Sequence, residues 1–181
     1  MKRNTAKLSY NIAYCGITIS LGLVIMLMAM IPAMTYVVPA VSGIIIWTIS
    51  EQINKKWAIL AYVAASLLIF MIIPELESKV YFILFFGYYP VIRDIFEKKT
   101  PKLVAYLLKF AVFNAAVVIA YNIVAPIIGA DKILDGLEFL GDMAVWGFLG
   151  MANIAFFCYE ICLGTIVFAF RKWLKPRLKR K

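Results

Sequence analysis

Histidine is absent from the chain, acidic side chains number 10 against 19 basic ones, and 16% of residues are charged, where a soluble domain carries about 25%. The missing histidine removes the commonest general base and metal ligand, so a histidine-dependent hydrolase and an H-E-x-x-H zinc centre are excluded. No G-x-x-x-x-G-K-[ST] phosphate loop occurs, so any ATP hydrolysis has to come from a partner. Cysteine is scarce too: Cys15, Cys158 and Cys162. The last two are i and i+4 on one helix, a spacing that suits a metal pair, but without histidine or a third cysteine nearby they read as small membrane-facing residues. No catalytic residue, metal or cofactor is expected, and the chain is not read as an enzyme.

What is abundant is apolar: 64% of the 181 residues are hydrophobic and the mean hydropathy is +0.89. A bilayer core of about 30 Å takes roughly 20 helical residues to cross. Six runs meet or approach that length, at about 10–30, 34–50, 57–73, 79–96, 103–128 and 140–170. They are continuous rather than alternating, which excludes a β-barrel. The expected fold is all-α, one polytopic integral membrane domain over 1–181 with six transmembrane helices and no room for a soluble catalytic domain. The short basic start and the lack of a small-residue cleavage site argue against a removable signal peptide.

Basic residues near span ends mark the cytoplasmic side. Lys2, Arg3 and Lys7 precede the first run, Lys55 and Lys56 join the second to the third, and Arg93, Lys98, Lys99 and Lys102 join the fourth to the fifth. The tail adds Arg171, Lys172 and the stretch KPRLKRK. All of these fall on one side of a six-span arrangement. The other side has Lys79 and Lys132 among Glu75, Glu77, Asp131, Asp135, Glu138 and Asp142. Both termini are therefore expected in the cytoplasm, in a plasma membrane. The net charge of +9 is a topology signal, not a footprint for nucleic acid. The tail reads as a stop-transfer anchor or a contact with acidic headgroups.

Close-approach and breaking residues add detail. Ser9, Ala13, Gly16 and Ser20 share one face of the first helix, either packed internally or offered to another membrane subunit. The uncharged connection IPAMTYVVP holds two prolines and Tyr36, which makes it a loop or broken helix and a natural wall for an outward pocket. The fourth run is short and contains Gly87 and Pro90; interrupted spans point to transporter sites, and its aromatics, Tyr88 among them, could line a pocket or belt an interface. After Pro90, Arg93 with Glu97 and Asp94 with Lys98 are i,i+4 pairs of an amphipathic, solvated stub.

The polar residues at membrane depth are few. In the sixth run Trp146, Gly150, Asn153, Phe157, Glu160 and Gly164 lie near one line of the helix. Lys109, in the fifth run, lies at a depth from which its side chain can reach Glu160, or it snorkels to the headgroups. Asn114, Tyr121 and Asn122 occupy another sector of that run. Glu160 is thus open between a structural ion pair with Lys109, a ligand contact, and proton coupling. The ligand candidates are Asn153, Glu160, Trp146, Tyr36, Tyr88 and Asn114.

Six spans in about 180 residues, a small-residue first helix, and YVVPAVSGIIIWTISEQINKKWAILAYVAASLL, with its proline and small residues opening a helix, a polar turn and another helix, resemble the substrate-binding subunit of energy-coupling-factor transporters. The resemblance implies an integral membrane subunit that binds a vitamin or similar small micronutrient from outside. It would work with a transmembrane coupling subunit and two ATPases, with Ser9, Ala13, Gly16 and Ser20 at the docking face. The family's alanine-rich version of that face is not reproduced, and the histidine-rich start of nickel and cobalt members is missing. The alternative is a non-transporting membrane scaffold or assembly factor.

Overall fold

The computed structural model describes residues 2–31, 34–129, 133, 141 and 143–174, without the side chains of 2–4, 98, 99 and 174. Every element among them is helical: α1 (Lys2–Leu27) with a 3₁₀ turn (Met28–Met30), α2 (Val37–Gln52), α3 (Lys55–Ile72), α4 (Leu76–Tyr81), a π segment (Phe82–Phe86), α5 (Tyr89–Lys99), α6 (Lys102–Ile128), and α7 (Ala144–Ala169) continued by a π turn (Phe170–Leu174). The acidic connection with Asp131, Asp135, Glu138 and Asp142, and the tail from Lys175, lie outside the described residues.

Four helices are long and apolar enough to cross a membrane, those of α1, α3, α6 and α7. α2 is apolar but only 16 residues, just under the usual minimum of about 17. The fourth expected run is a broken helix: α4 gives way to the π segment, and α5 restarts with proline in its first turn. Pro90 cannot donate to the preceding ladder, which is why the helix is interrupted there rather than farther along.

The chain forms two compact units, Met1–Lys109 and Phe110–Lys181. In the first, α1 buries Cys15, Thr18, Gly22 and Met26, steps of three and four that keep one face inward. Ser42 Oγ donates to the Gly22 carbonyl at 3.2 Å. Met26, Val38, Ile46, Ala65, Ile69, Ile73 and Phe82 form the core beyond this crossing. Gly43 lies so close to the π segment that a Cβ there would stand 1.9 Å from the Phe86 carbonyl oxygen, a main-chain atom with no freedom to retreat. Where a ladder shifts to i−5 a carbonyl loses its usual partner; Tyr62 answers this by donating its hydroxyl to the Ile83 carbonyl at 2.6 Å.

The outward faces of α1 and α3 are apolar, with Ile17, Leu21 and Val24 on one and Leu60, Leu67 and Met71 on the other exposed. Such surface suits lipid, not water. In the second unit Phe113 and Phe156 stack at 4.4 Å and Phe110 meets Phe156 edge-on at 5.0 Å. Gly129 closes α6 with φ +99°, the left-handed stop that glycine adopts without strain.

Candidate functional site

The interrupted run organises the first of three polar groupings. Glu75 caps α4, accepting from the Ser78 amide at 2.5 Å, while Ser78 Oγ donates to the Thr35 carbonyl at 2.8 Å. This ties the first connection to the start of the broken helix. Tyr36 then leans on Tyr81, ring centroids 5.2 Å apart and 50° inclined, with its hydroxyl 3.4 Å from Glu77 Oε2. Burial, and then the charge of Glu77, push the Tyr36 phenol up to about 12, so it stays a donor at ordinary pH. Burial and the neighbouring Glu75 likewise raise Glu77 above the usual carboxylate value, with the Tyr36 hydrogen bond acting against them. Tyr88 is separate, meeting Tyr62 edge-on at 5.6 Å.

The second grouping joins α6 and α7. Asn114 Nδ2 donates to Asn153 Oδ1, and Asn153 Nδ2 to Asn114 Oδ1, both at 2.9 Å. Each amide also donates to its own helix, Asn114 to the Phe110 carbonyl and Asn153 to that of Leu149, both at 2.8 Å. Both N–H groups of each amide are therefore spent. The arrangement is a clamp between two apolar helices, and a ligand could use either amide's donors only by opening it.

The line from Trp146 to Gly164 is not one buried stripe. Glu160, Phe156, Leu163 and Val167 are buried, Asn153 is half-buried, and Trp146, Gly150 and Phe157 are exposed. The inward face is turned by roughly 70° from the line through the glycines, at about 100° per residue. The bulky Phe156 and Leu163 claimed it, whereas Gly150 has open space where a Cβ would go. Trp146 instead lines a half-open cavity of about 250 Å³ with Val117, Tyr121, Asn122, Phe148 and Leu149. Ligand pockets usually exceed about 300 Å³, so this space fits a single ring or part of an acyl chain.

The third grouping adds Lys109 and Trp47 to the i,i+4 pair expected of Arg93 and Glu97. Glu97 Oε1 accepts from Arg93 at 2.9 Å and from Lys109 at 2.8 Å. Asp94, next to Arg93, takes the indole N–H of Trp47 at 3.4 Å. Arg93 and Asp94 are buried, which corrects the solvated stub: α2, with Trp47, and α3 pack against it. The Arg93–Glu97 pair forms at its i,i+4 spacing, while the side chain of Lys98, assigned to Asp94, lies outside the described residues. Lys109 is buried and finds a carboxylate just across the short Thr100–Pro101 connection. Glu160 belongs to the other unit. The brevity of that connection is the sequence signal that Glu97 and Lys109 can meet; nothing in the sequence announces one oxygen shared by two cations.

Ser9, Ala13, Gly16 and Ser20 are all exposed, and no atom lies within 4 Å of a Cβ built on Gly16. Among the described residues of the first unit, internal packing, the simpler expectation for that face, is not its role. Cys15, Cys158 and Cys162 are free, and among the described residues no three acids or cysteines gather as a metal site. The three groupings are thus polar clusters set in apolar helices. Compared with known proteins, the chain matches no family model, no curated protein and no solved structure.

Proposed function

We propose that the chain is the solute-binding integral membrane subunit of a multicomponent uptake transporter of the energy-coupling-factor kind, taking a vitamin or similar small micronutrient. In this reading all six runs cross the plasma membrane with both termini cytoplasmic. α2 crosses as a short span and the run at about 79–96 as an interrupted one, accommodated by tilt and local thinning. The observation that carries the reading is the outward face of α1: the close-approach residues Ser9, Ala13, Gly16 and Ser20 are exposed, and among the described residues nothing from outside α1 approaches the position a Cβ on Gly16 would take. Small residues are favoured where a second helix must come close, and a coupling subunit is the partner such a face would receive. Solute would approach on the side of Tyr36, Glu75 and Glu77.

The test is retention. Purified protein, denatured and analysed by mass spectrometry, is expected to release a small molecule, and that molecule added back raises the thermal midpoint. Gly16→Leu is expected to leave retention intact and abolish copurification of a coupling subunit. Empty preparations, together with no copurifying subunit, would sink the proposal.

One observation favours a second reading, a non-transporting scaffold or assembly factor: the Asn114–Asn153 clamp spends its own donors. That reading expects Asn153→Ala and Glu160→Gln to change only abundance or partner binding, with no small-molecule thermal shift in the parent.

A further inference from the structure

The amide that an α-helix would bring to the Ile83 carbonyl is that of Gly87, four residues on. In the π segment it goes instead to the Phe82 carbonyl, at 2.9 Å. The Ile83 carbonyl is served by a side chain from another helix, the Tyr62 hydroxyl of α3, at 2.6 Å. A carbonyl without a partner is costly where hydrocarbon surrounds the helix, so the two ladders value this hydroxyl unequally. In the π register Tyr62 supplies the partner that the ladder has given up. In an α register Gly87 supplies it, and the hydroxyl only adds a second bond to an oxygen already served.

The Tyr62 ring touches both ends of the same stretch. A Cβ on Gly87 would stand 2.7 Å from its Cδ2 and Cε2 atoms. The ring also meets Phe82 at 6.3 Å and Tyr88 edge-on at 5.6 Å. The two polar groupings of the broken helix lie on either side. Tyr81, next to Phe82, leans on Tyr36. α5, which restarts two residues after Gly87, brings Asp94 to the Trp47 indole and Glu97 to Lys109. π turns are rare and collect at functional sites, and register shifts of helices belong to the slower collective motions of a folded protein.

We propose that the broken helix has two registers and that Tyr62 is the latch that selects between them. With the hydroxyl on Ile83 the π register holds, and α5 is seated with Asp94 on Trp47 and Glu97 on Lys109. With the hydroxyl withdrawn, the Gly87 amide returns to Ile83, the segment becomes α-helical, and α5 leaves both contacts. Only hydrogen bonds are exchanged. The seating of the charge cluster is thus conditional on one hydroxyl of α3, and the latch does not depend on the solute-binding proposal.

The Trp47 indole N–H, bonded to Asp94, reports the seat of α5 without an added label. Proton–nitrogen correlation spectra of the full chain in detergent micelles resolve its resonance, which a Trp47→Phe variant assigns. The parent is expected to show one Trp47 signal. Tyr62→Phe is expected to give a second one, its share several-fold above any in the parent, with exchange of the indole proton into heavy water several-fold faster. Tyr36→Phe, loss of the same group from the outer grouping, leaves the Trp47 signal as in the parent and controls for a deleted phenol hydroxyl. Deleting Leu84 removes the extra residue of the π turn, so that the segment is α-helical with α5 still seated, and Tyr62→Phe in that background is silent. A Trp47 signal as insensitive to Tyr62→Phe as to Tyr36→Phe overturns the latch, and so does a response of the same size when Leu84 is deleted. Should the deletion variant not fold, the contrast between Tyr62→Phe and Tyr36→Phe decides alone.

Discussion

The two units hold polar groups inside apolar helices by different means. In Met1–Lys109 the polar atoms are spread over many partners: Tyr62 on the Ile83 carbonyl, Ser42 on Gly22, Trp47 on Asp94, and Glu97 between two cations. Broken helices create this demand, because each interruption frees backbone groups that hydrocarbon cannot satisfy. In Phe110–Lys181 α6, apart from the bond Pro126 cannot donate, and α7, up to its π turn, keep their ladders, and a prominent polar contact between them is one reciprocal amide pair. Interruption obliges a network, whereas continuity needs only a clamp.

The sharpest way to break this contrast is at the contact that seats the interruption. Gly43→Ala sets a methyl against the Phe86 carbonyl, with only main-chain atoms to yield, and is expected to cost about 3 kcal/mol or more. Loss of folded, monodisperse protein in detergent is the readout. Gly16→Ala, the same exchange on the open face of α1, should leave stability unchanged or raise it by up to about 1 kcal/mol. Equal behaviour of the two variants would contradict the packing described.

The clamp comes next. Asn114→Ala or Asn153→Ala alone is expected to cost about 1 to 2 kcal/mol, and the double variant roughly 0.6 kcal/mol less than the sum of the two, the coupling typical of polar pairs in membranes. Additive losses in a denaturant-based double-mutant cycle would show the amides to be independent. Tyr62→Phe, which removes the hydroxyl from the π segment's carbonyl, should cost about 1 kcal/mol while leaving the second unit untouched. Hydrogen exchange confined to the first unit would check it.

The smallest effect concerns Glu77. Its folded pKa is raised, so the folded state holds the proton more tightly than the unfolded chain. The corresponding stability is fully present below the unfolded value of 4.5 and fades as pH rises through the folded one. Lowering the pH from 7 to 5 should raise the thermal midpoint by at most about 2 °C, and Glu77→Gln should remove that rise.

Much of the architecture is legible in the chain because it is written in runs. Hydrophobic length locates α1, α3, α6 and α7, and Gly87 with Pro90 locates the break. Faces are harder. Glycine and a polar residue at helical spacing look like an inward stripe, but bulk decides burial, and Phe156 and Leu163 turned α7 away from Gly150. Partners are harder still. Tyr36 and Asn114 were legible as candidates, while Tyr81 and Asn153 could not be matched to them, because spacing along one helix carries no information about which helix lies opposite.

The π segment has one more consequence. A single extra residue per turn advances everything downstream by about 100° around the helix axis. Phe82–Phe86 therefore works as a phase shifter between two messages on one strand of sequence: the aromatic and acidic groups before it, and the Arg93, Asp94 and Glu97 triplet after it. Regularising the segment to an α-helix with every residue kept would rotate Arg93 and Glu97 about 100° away from Lys109, whereas deleting one residue along with the π turn would preserve their direction, so the charge cluster depends on a count rather than on any side chain within that stretch.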